Sequence, residues 1–393
     1  MACHHGVVSV LLKPFRGYVP TSTFAHRVVG PPSSMLSADQ QEAARNDPLS
    51  FRHAAGRGAG SSQTEVASWL AECHNQGVLR AVGPTVCVYQ QGDADLAATG
   101  IIADVRLSAY DSGLVKRHER TIAKTQRKMA DYMRGTRIFG NPVALTHRPH
   151  AGLQATIKAH VEREADIAFT TADSVSHRLW AIEGDAAEEV CRGFDNTLYI
   201  TDGHHRLAAA SLVASEEGRT EARLPVALFS TEALQLRSFA RCVVDPDLDV
   251  DNVIDRLGTE HRIEEVNGLE ARPRQRFEVG VKIRDRYFRL QIDRSRIPDD
   301  LFESLDVNLL QHLILGPVFG IANGRRDKRL RFFADITDAS QLDIESDAWL
   351  LPFPTAVDDV MAVADSGRVM PAKSTWFAPK VPSGLVIRSL EAN

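Results

Sequence analysis

Long apolar runs are missing from this chain of 393 residues. The two longest are VVSVLL (7–12) and LLQHLILGPVFGIA (309–322), and His312 interrupts the second. Neither reaches the roughly 20 apolar residues that cross a bilayer, so no membrane role is expected. Cysteine is scarce as well. Cys3, Cys73, Cys87, Cys191 and Cys242 are scattered and odd in number, with no CxxC, which leaves zinc-knuckle and thioredoxin-like readings without support. There is no excess of positive charge. Lys plus Arg total 46 against 51 Asp plus Glu, a net of −5, so a nucleic-acid partner is not expected. A content of 44% hydrophobic and 25% charged residues excludes wholesale disorder. No basic leader precedes a cleavable apolar segment, and the expected location is cytoplasmic. Familiar catalytic signatures are absent too: no GxxxxGK[ST], no GxGxxG after the first strand, no HRD…DFG set and no GxSxG elbow.

What is present reads as mixed α/β. The chain opens with a short strand-like run ended by Pro14 and Gly17, and Ser37 is placed to cap a helix over 38–45. A Gly/Ser-rich loop (54–64) leads into a helix with Val66, Trp69, Leu70 and Cys73 on one side, stopping near Gly77. Strands are predicted at 85–91, from 98, at 141–147, 177–182, 197–200 and 223–230, with helices between them. One of these helices sets Ile122, Met129 and Tyr132 roughly on one face. Aspartates and Pro246 mark a boundary near 245. Beyond it, 275–292 reads as a hairpin around an Arg-Asp turn, and a helix is expected to stop at Gly316–Pro317.

The sharpest chemical signal is YITDGHHRLAAASL (199–212). An apolar strand runs into Asp202-Gly203, and a basic triplet opens an alanine-rich helix. Gly203 permits a tight strand-to-helix turn, and the free amides of the first helical turn favour an anion such as a phosphate. His204, His205 and Arg206 add donors to that anion. Asp202 can cap the helix, orient a histidine, or hold a magnesium ion through water. Two adjacent histidines cannot both enter the core, so one should face solvent or ligand.

A second cluster, VKRHERT (115–121), sets one carboxylate, Glu119, among Lys116, Arg117, His118 and Arg120. If the cations bind a polyphosphate, Glu119 can take the proton of an attacking hydroxyl. A solvated charged helix would show the same residues. A third segment, MPAKSTWFAPK (370–380), offers Lys373, Ser374, Thr375 and Lys380 on a proline-stiffened loop that can close over an anion or simply decorate the surface.

In their order along the chain, KPFRG with VVGPP, KRHERT, YITDGHHRLAAA and MPAKSTWFAPKVPSGLVI resemble the bacterial and archaeal family known as domain of unknown function 1015. The family usually shows Pro-Pro-Tyr-Asp where this chain has Pro31-Pro32-Ser33-Ser34, which puts any ligand contact by that tyrosine or aspartate in question. The region from about 98 to 230 is also similar to the ParB/sulfiredoxin type of fold. That superfamily contains free-serine kinases, which phosphorylate L-serine with ADP or ATP. The resemblance implies an N-terminal family region (1–97), a ParB/sulfiredoxin-like core (98–245), and a C-terminal α/β region (246–393) closing with the MPAKSTWFAPK loop.

It further implies a small-molecule kinase acting on a hydroxyl, with free serine as acceptor, ATP or ADP as donor and Mg2+ as cofactor. Glu119, Asp202 and His205 are then the expected catalytic residues. Gly203, His204, His205, Arg206, Lys373 and Lys380 would hold the nucleotide, and Asp202 the magnesium. Arg117, His118, Ser374 and Thr375 would contact the acceptor. Two alternatives stand beside this reading. One is a non-catalytic nucleotide switch or scaffold, as ParB proteins are with CTP. The other is a metal-dependent hydrolase built on His118, Glu119, Asp202, His204 and His205, although HE here lacks the following xxH of a zincin.

Overall fold

The computed structural model describes residues 11–55, 62–92, 97–245, 247–324, 326–334, 347–371 and 373–390. Cys3, most of the 7–12 run, the middle of the 54–64 loop and Pro246 lie outside them. The fold is mixed α/β. Its contacts gather into two units. The first comprises Met1–Arg117, Thr121–Leu234 and Pro379–Asn393, and the second His118–Arg120 and Gln235–Ala378. The division at 97 and 245 rests on changes of sequence pattern rather than on contact density, and it stays a proposal about family organisation.

The first unit is built on a ten-stranded mixed sheet. Strand Leu198–Asp202 lies between Val115–Lys116, which it pairs in parallel, and Val143–His147, which it pairs antiparallel. Arg223–Ser230 follows, parallel to Val143–His147, and then Ala98–Arg106, Leu79–Gln91, Ser176–Glu183 and Ile167–Thr170 continue antiparallel. The central strand Ala98–Arg106 is apolar over Gly100–Ala103 and again at Val105 because both of its faces are covered. Ile101, Ala103 and Val105 enter one core with Leu145, Ile200 and Leu207, while Ile102 enters the other with Phe15, Tyr89 and Phe229. Helices Ala123–Thr136 and His204–Glu216 supply the first of these cores with Ala130, Met133, Leu207, Ala209 and Ala210.

The second unit holds a six-stranded antiparallel sheet in the order Arg262–Glu265, Arg286–Gln291, Glu278–Ile283, Ala348–Pro352, Phe239–Val243, Leu330–Ala334. The expected hairpin is present, and Arg284, at φ 49°, carries the left-handed backbone of its turn. Among the described residues no helix is long and apolar enough to cross a membrane.

Three local expectations need correction. The first apolar run does not end at Gly17, because strand Phe15–Pro20 passes through it and pairs with Leu79–Gln91. Ile122 is not on the buried face of its helix. It is the N-cap residue and is 56% exposed, whereas Met129 and Tyr132 do pack on the core. The helix before Gly316 is α-helical only over Asp306–Leu309 and then widens into a π-helical stretch, Leu310–Leu315.

Candidate functional site

In the first unit the site begins where strand Leu198–Asp202 slips its register against Val143–His147 between Ile200 and Asp202. Such a bulge re-aims the side chain at a strand end. Gly203 follows at φ 96°, a conformation that costs any L side chain about 1–2 kcal/mol. A Cβ there would also stand 2.9 Å from Nε of Arg206, whose guanidinium folds back over the glycine. Helix His204–Glu216 then starts without a side-chain cap. Elsewhere Ser37, Ser62 and Asp249 cap their helices through side-chain oxygens.

Asp202 is held from two sides. Lys380 Nζ donates to Oδ1 at 2.9 Å, and Arg206 Nη2 pairs with Oδ2. Burial pushes the Asp202 carboxyl up, but Lys380 and Arg206 outweigh that effect and hold it at about 2. The carboxylate is therefore ionised throughout the neutral range. Arg206 Nη1 also donates to the carbonyls of Asn141 and Pro142 at 2.7 and 2.8 Å. One guanidinium thus ties the approach to strand Val143–His147 to the Asp202 turn.

The two histidines separate as the pattern required. His204 is buried, while His205 is half-buried and its Nε2 accepts from the backbone N–H of Ile122 at 2.9 Å. His205 thereby satisfies an amide at the start of helix Ala123–Thr136. Gln126 of the same helix donates to the carbonyl of Ala208 at 3.1 Å, and Arg134 pairs with Glu216.

Behind Lys380 runs a buried polar chain that composition and motif did not reveal. Gln91 Nε2 donates to the Lys380 carbonyl at 3.1 Å, and its Oε1 accepts from Tyr89 at 3.0 Å. The Tyr89 hydroxyl lies 2.9 Å from His177 Nδ1, and His177 Nε2 lies 3.0 Å from the Thr171 hydroxyl. Burial lowers the His177 pKa to about 4, so the ring is neutral. The available signal was the triplet YQQ directly after the apolar run Val86–Val88.

In the second unit the structure brings the other two sequence clusters together. His118 is buried, with Nε2 3.3 Å from the Thr375 hydroxyl and its ring 5.6 Å from that of Phe377. Its carbonyl accepts from the Met370 N–H at 2.7 Å. Ser374 is buried and donates to the Pro371 carbonyl at 2.7 Å, so its hydroxyl shapes the loop. Lys373 is exposed, at φ 57°, with Nζ 5.1 Å from the centre of the Phe239 ring. Glu119 is half-buried beside His118 in sequence. Arg117, in the first unit, is exposed and donates to the Tyr110 hydroxyl at 3.4 Å. The two lysines expected to act together have different partners, Lys380 at Asp202 and Lys373 on Phe239.

Among the described residues no group of three metal-ligating side chains occurs. Asp202 offers magnesium one carboxylate, and two cations already neutralise it. This donor set does not fit a magnesium ion held by the protein alone.

The profile of the family described as "Protein of unknown function (DUF1015)" matches residues 12–308. The chain belongs to this family. No curated protein matches its sequence. Among solved structures it is similar to SbnI with C-terminal truncation from Staphylococcus aureus, at 12% identity and a TM-score of 0.41, covering 72% of this chain and 86% of that one. It is also similar to a conserved hypothetical protein from Pyrococcus furiosus, at 16% identity and 0.37, covering 74% and 96%. A free serine kinase in complex with AMP gives 16% and 0.37, covering 71% and 88%.

Proposed function

We propose that this DUF1015 protein is a small-molecule kinase that moves a phosphoryl group from ATP or ADP to a hydroxyl, with free L-serine as acceptor. The observation that carries the reading is the uncapped helix start at His204, which follows a left-handed glycine. The amides of its first turn, with the positive end of the helix dipole, suit a phosphate. Lys380 and Arg206 against Asp202 leave one net positive charge beside that turn. In this account His204, His205 and the turn amides receive donor phosphates, and Arg206 and Lys380 fix the turn and supply the charge. Reading 98–245 as a ParB/sulfiredoxin-like core belongs to the same proposal.

Glu119 is the proposed base. It lies three residues before Ile122, whose amide is bonded to His205. As the hydroxyl oxygen attacks the terminal phosphorus, its proton passes to the Glu119 carboxylate and the nucleotide leaves one phosphate shorter. Arg117, His118, Ser374 and Thr375 are proposed on the acceptor side, with Ser374 acting through the loop it fastens. Lys373, on the same loop, is proposed for the donor.

Donor turnover over a panel of amino acids and sugars, with ADP and with ATP, tests this reading. Acceptor-dependent consumption supports it. Nucleotide that binds and is never consumed would replace it with the nucleotide switch.

A further inference from the structure

The second unit contains a cavity of about 400 Å³ that the kinase reading does not use. Its volume falls in the range of small-molecule sites. One wall is formed by Arg241 on the sheet strand Phe239–Val243. This arginine is 3% exposed. Nη1 donates to the Phe239 carbonyl at 2.6 Å, Nη2 to the Lys373 carbonyl at 3.3 Å, and the guanidinium lies 5.7 Å from the centre of the Phe332 ring. Among the described residues no carboxylate pairs with it. Burial lowers its pKa to about 10, which leaves it charged at neutral pH.

A buried cation without an anion is expensive, and an anion that reached it would relieve that cost. A guanidinium has five N–H donors, and two carbonyls leave several for a ligand. Phe302, Val307, Leu315 and Phe332 make much of the remaining wall apolar, and Arg120 stands exposed among the lining residues. The amide nitrogens of Asn308 and Gln311, also in the lining, are fixed on the carbonyls of Phe302 and Ile321 at 2.6 and 2.7 Å. Gln311 sits on the π-helical stretch, a widening that often marks functional positions.

We propose that this cavity binds a small monocarboxylic acid with an apolar body, its carboxylate on Arg241 and its body against Phe302, Val307, Leu315 and Phe332. One buried cation matches one negative charge. The apolar patch of Phe302, Val307, Leu315 and Phe332 suits the hydrocarbon body of such an acid.

The test uses the full chain without nucleotide, carrying ¹³C-methyl methionine. Met370 lines the cavity, and Met361, buried on helix Val357–Asp365, serves as the reference. Isovalerate and phenylacetate are titrated against isovaleramide. The expected result is a saturable shift of Met370 with the acids, in the millimolar range or tighter, while Met361 stays in place. The amide should bind at least about tenfold more weakly. Arg241→Gln should weaken acid binding by about 10–100-fold, as expected for a charge-assisted hydrogen bond. Should that variant fail to fold, the acid-against-amide comparison on the wild type still decides. Arg120→Gln, at an exposed position, should change affinity by less than about threefold if Arg241 is the anchor. A Met370 signal that does not move with either acid, or acid and amide binding equally well, would overturn the proposal.

Discussion

Lys380 Nζ lies 2.9 Å from Asp202 Oδ1 across 178 residues of sequence. The ammonium end of the C-terminal motif thus holds the carboxylate that opens the anion-binding turn. Lys380→Met should leave Arg206 as the remaining salt-bridge partner of Asp202. Breaking a fully buried pair costs about 3–5 kcal/mol, and because Asp202 is a third exposed, about 1–3 kcal/mol is expected. The Asp202 contribution should be complete above pH 4, the ordinary aspartate range, and be lost as pH falls through about 2. Urea unfolding of both proteins at pH 7 and pH 3 measures it, and the gap between them should narrow at the lower pH.

Gly203→Ala sets a side chain at φ 96° and pushes on the Arg206 guanidinium. A loss of about 1–2 kcal/mol is expected from the backbone alone. Because the same turn is proposed to receive phosphates, ADP affinity should also fall. Denaturant melts and a calorimetric ADP titration separate the two effects.

Arg206→Lys should not behave as a conservative change. A lysine cannot reach Asp202 and the carbonyls of Asn141 and Pro142 in one fork. Stability should drop by about 1–3 kcal/mol. Near-wild-type melting of this variant would contradict the clamp.

His177 predicts an acid-sensitive window. The unfolded chain takes up a proton near pH 6.5, and the folded one only near 4. Its contribution is therefore complete above about 6.5 and is lost as pH falls through 4, a change of about 3 kcal/mol. His177→Gln should unfold with a flatter dependence between those values. Parallel profiles for the two proteins would rule this out.

Much of the anion-binding turn was legible in the sequence, because Asp202-Gly203 after an apolar strand and before an alanine run admits few local structures. Helix His204–Glu216 and strand Arg223–Ser230 follow directly from such patterns. Ser37 marked its helix start for the same local reason. The partners of these residues were not legible. Lys380 on Asp202, Gln91 on the Lys380 carbonyl and His118 beside Thr375 join positions far apart in the chain, and no periodicity encodes such distances. Arg241 was hidden differently. It interrupts the apolar strand FARCV, where a charge would ordinarily face solvent, and only the packing of both faces makes it buried. The π-helical stretch keeps the apolar pattern of a helix, so its wider turn left no separate mark.

The most direct test of the kinase account is ³¹P NMR of the wild type and Glu119→Gln, each with L-serine and either ATP or ADP at saturation. The account predicts O-phosphoserine formed in step with donor loss by the wild type. In Glu119→Gln the rate should fall about 10²- to 10⁴-fold with donor affinity nearly unchanged. Donor signals that persist unchanged in the wild type with serine present would contradict serine phosphorylation, and equal turnover by the two proteins would remove Glu119 as the base.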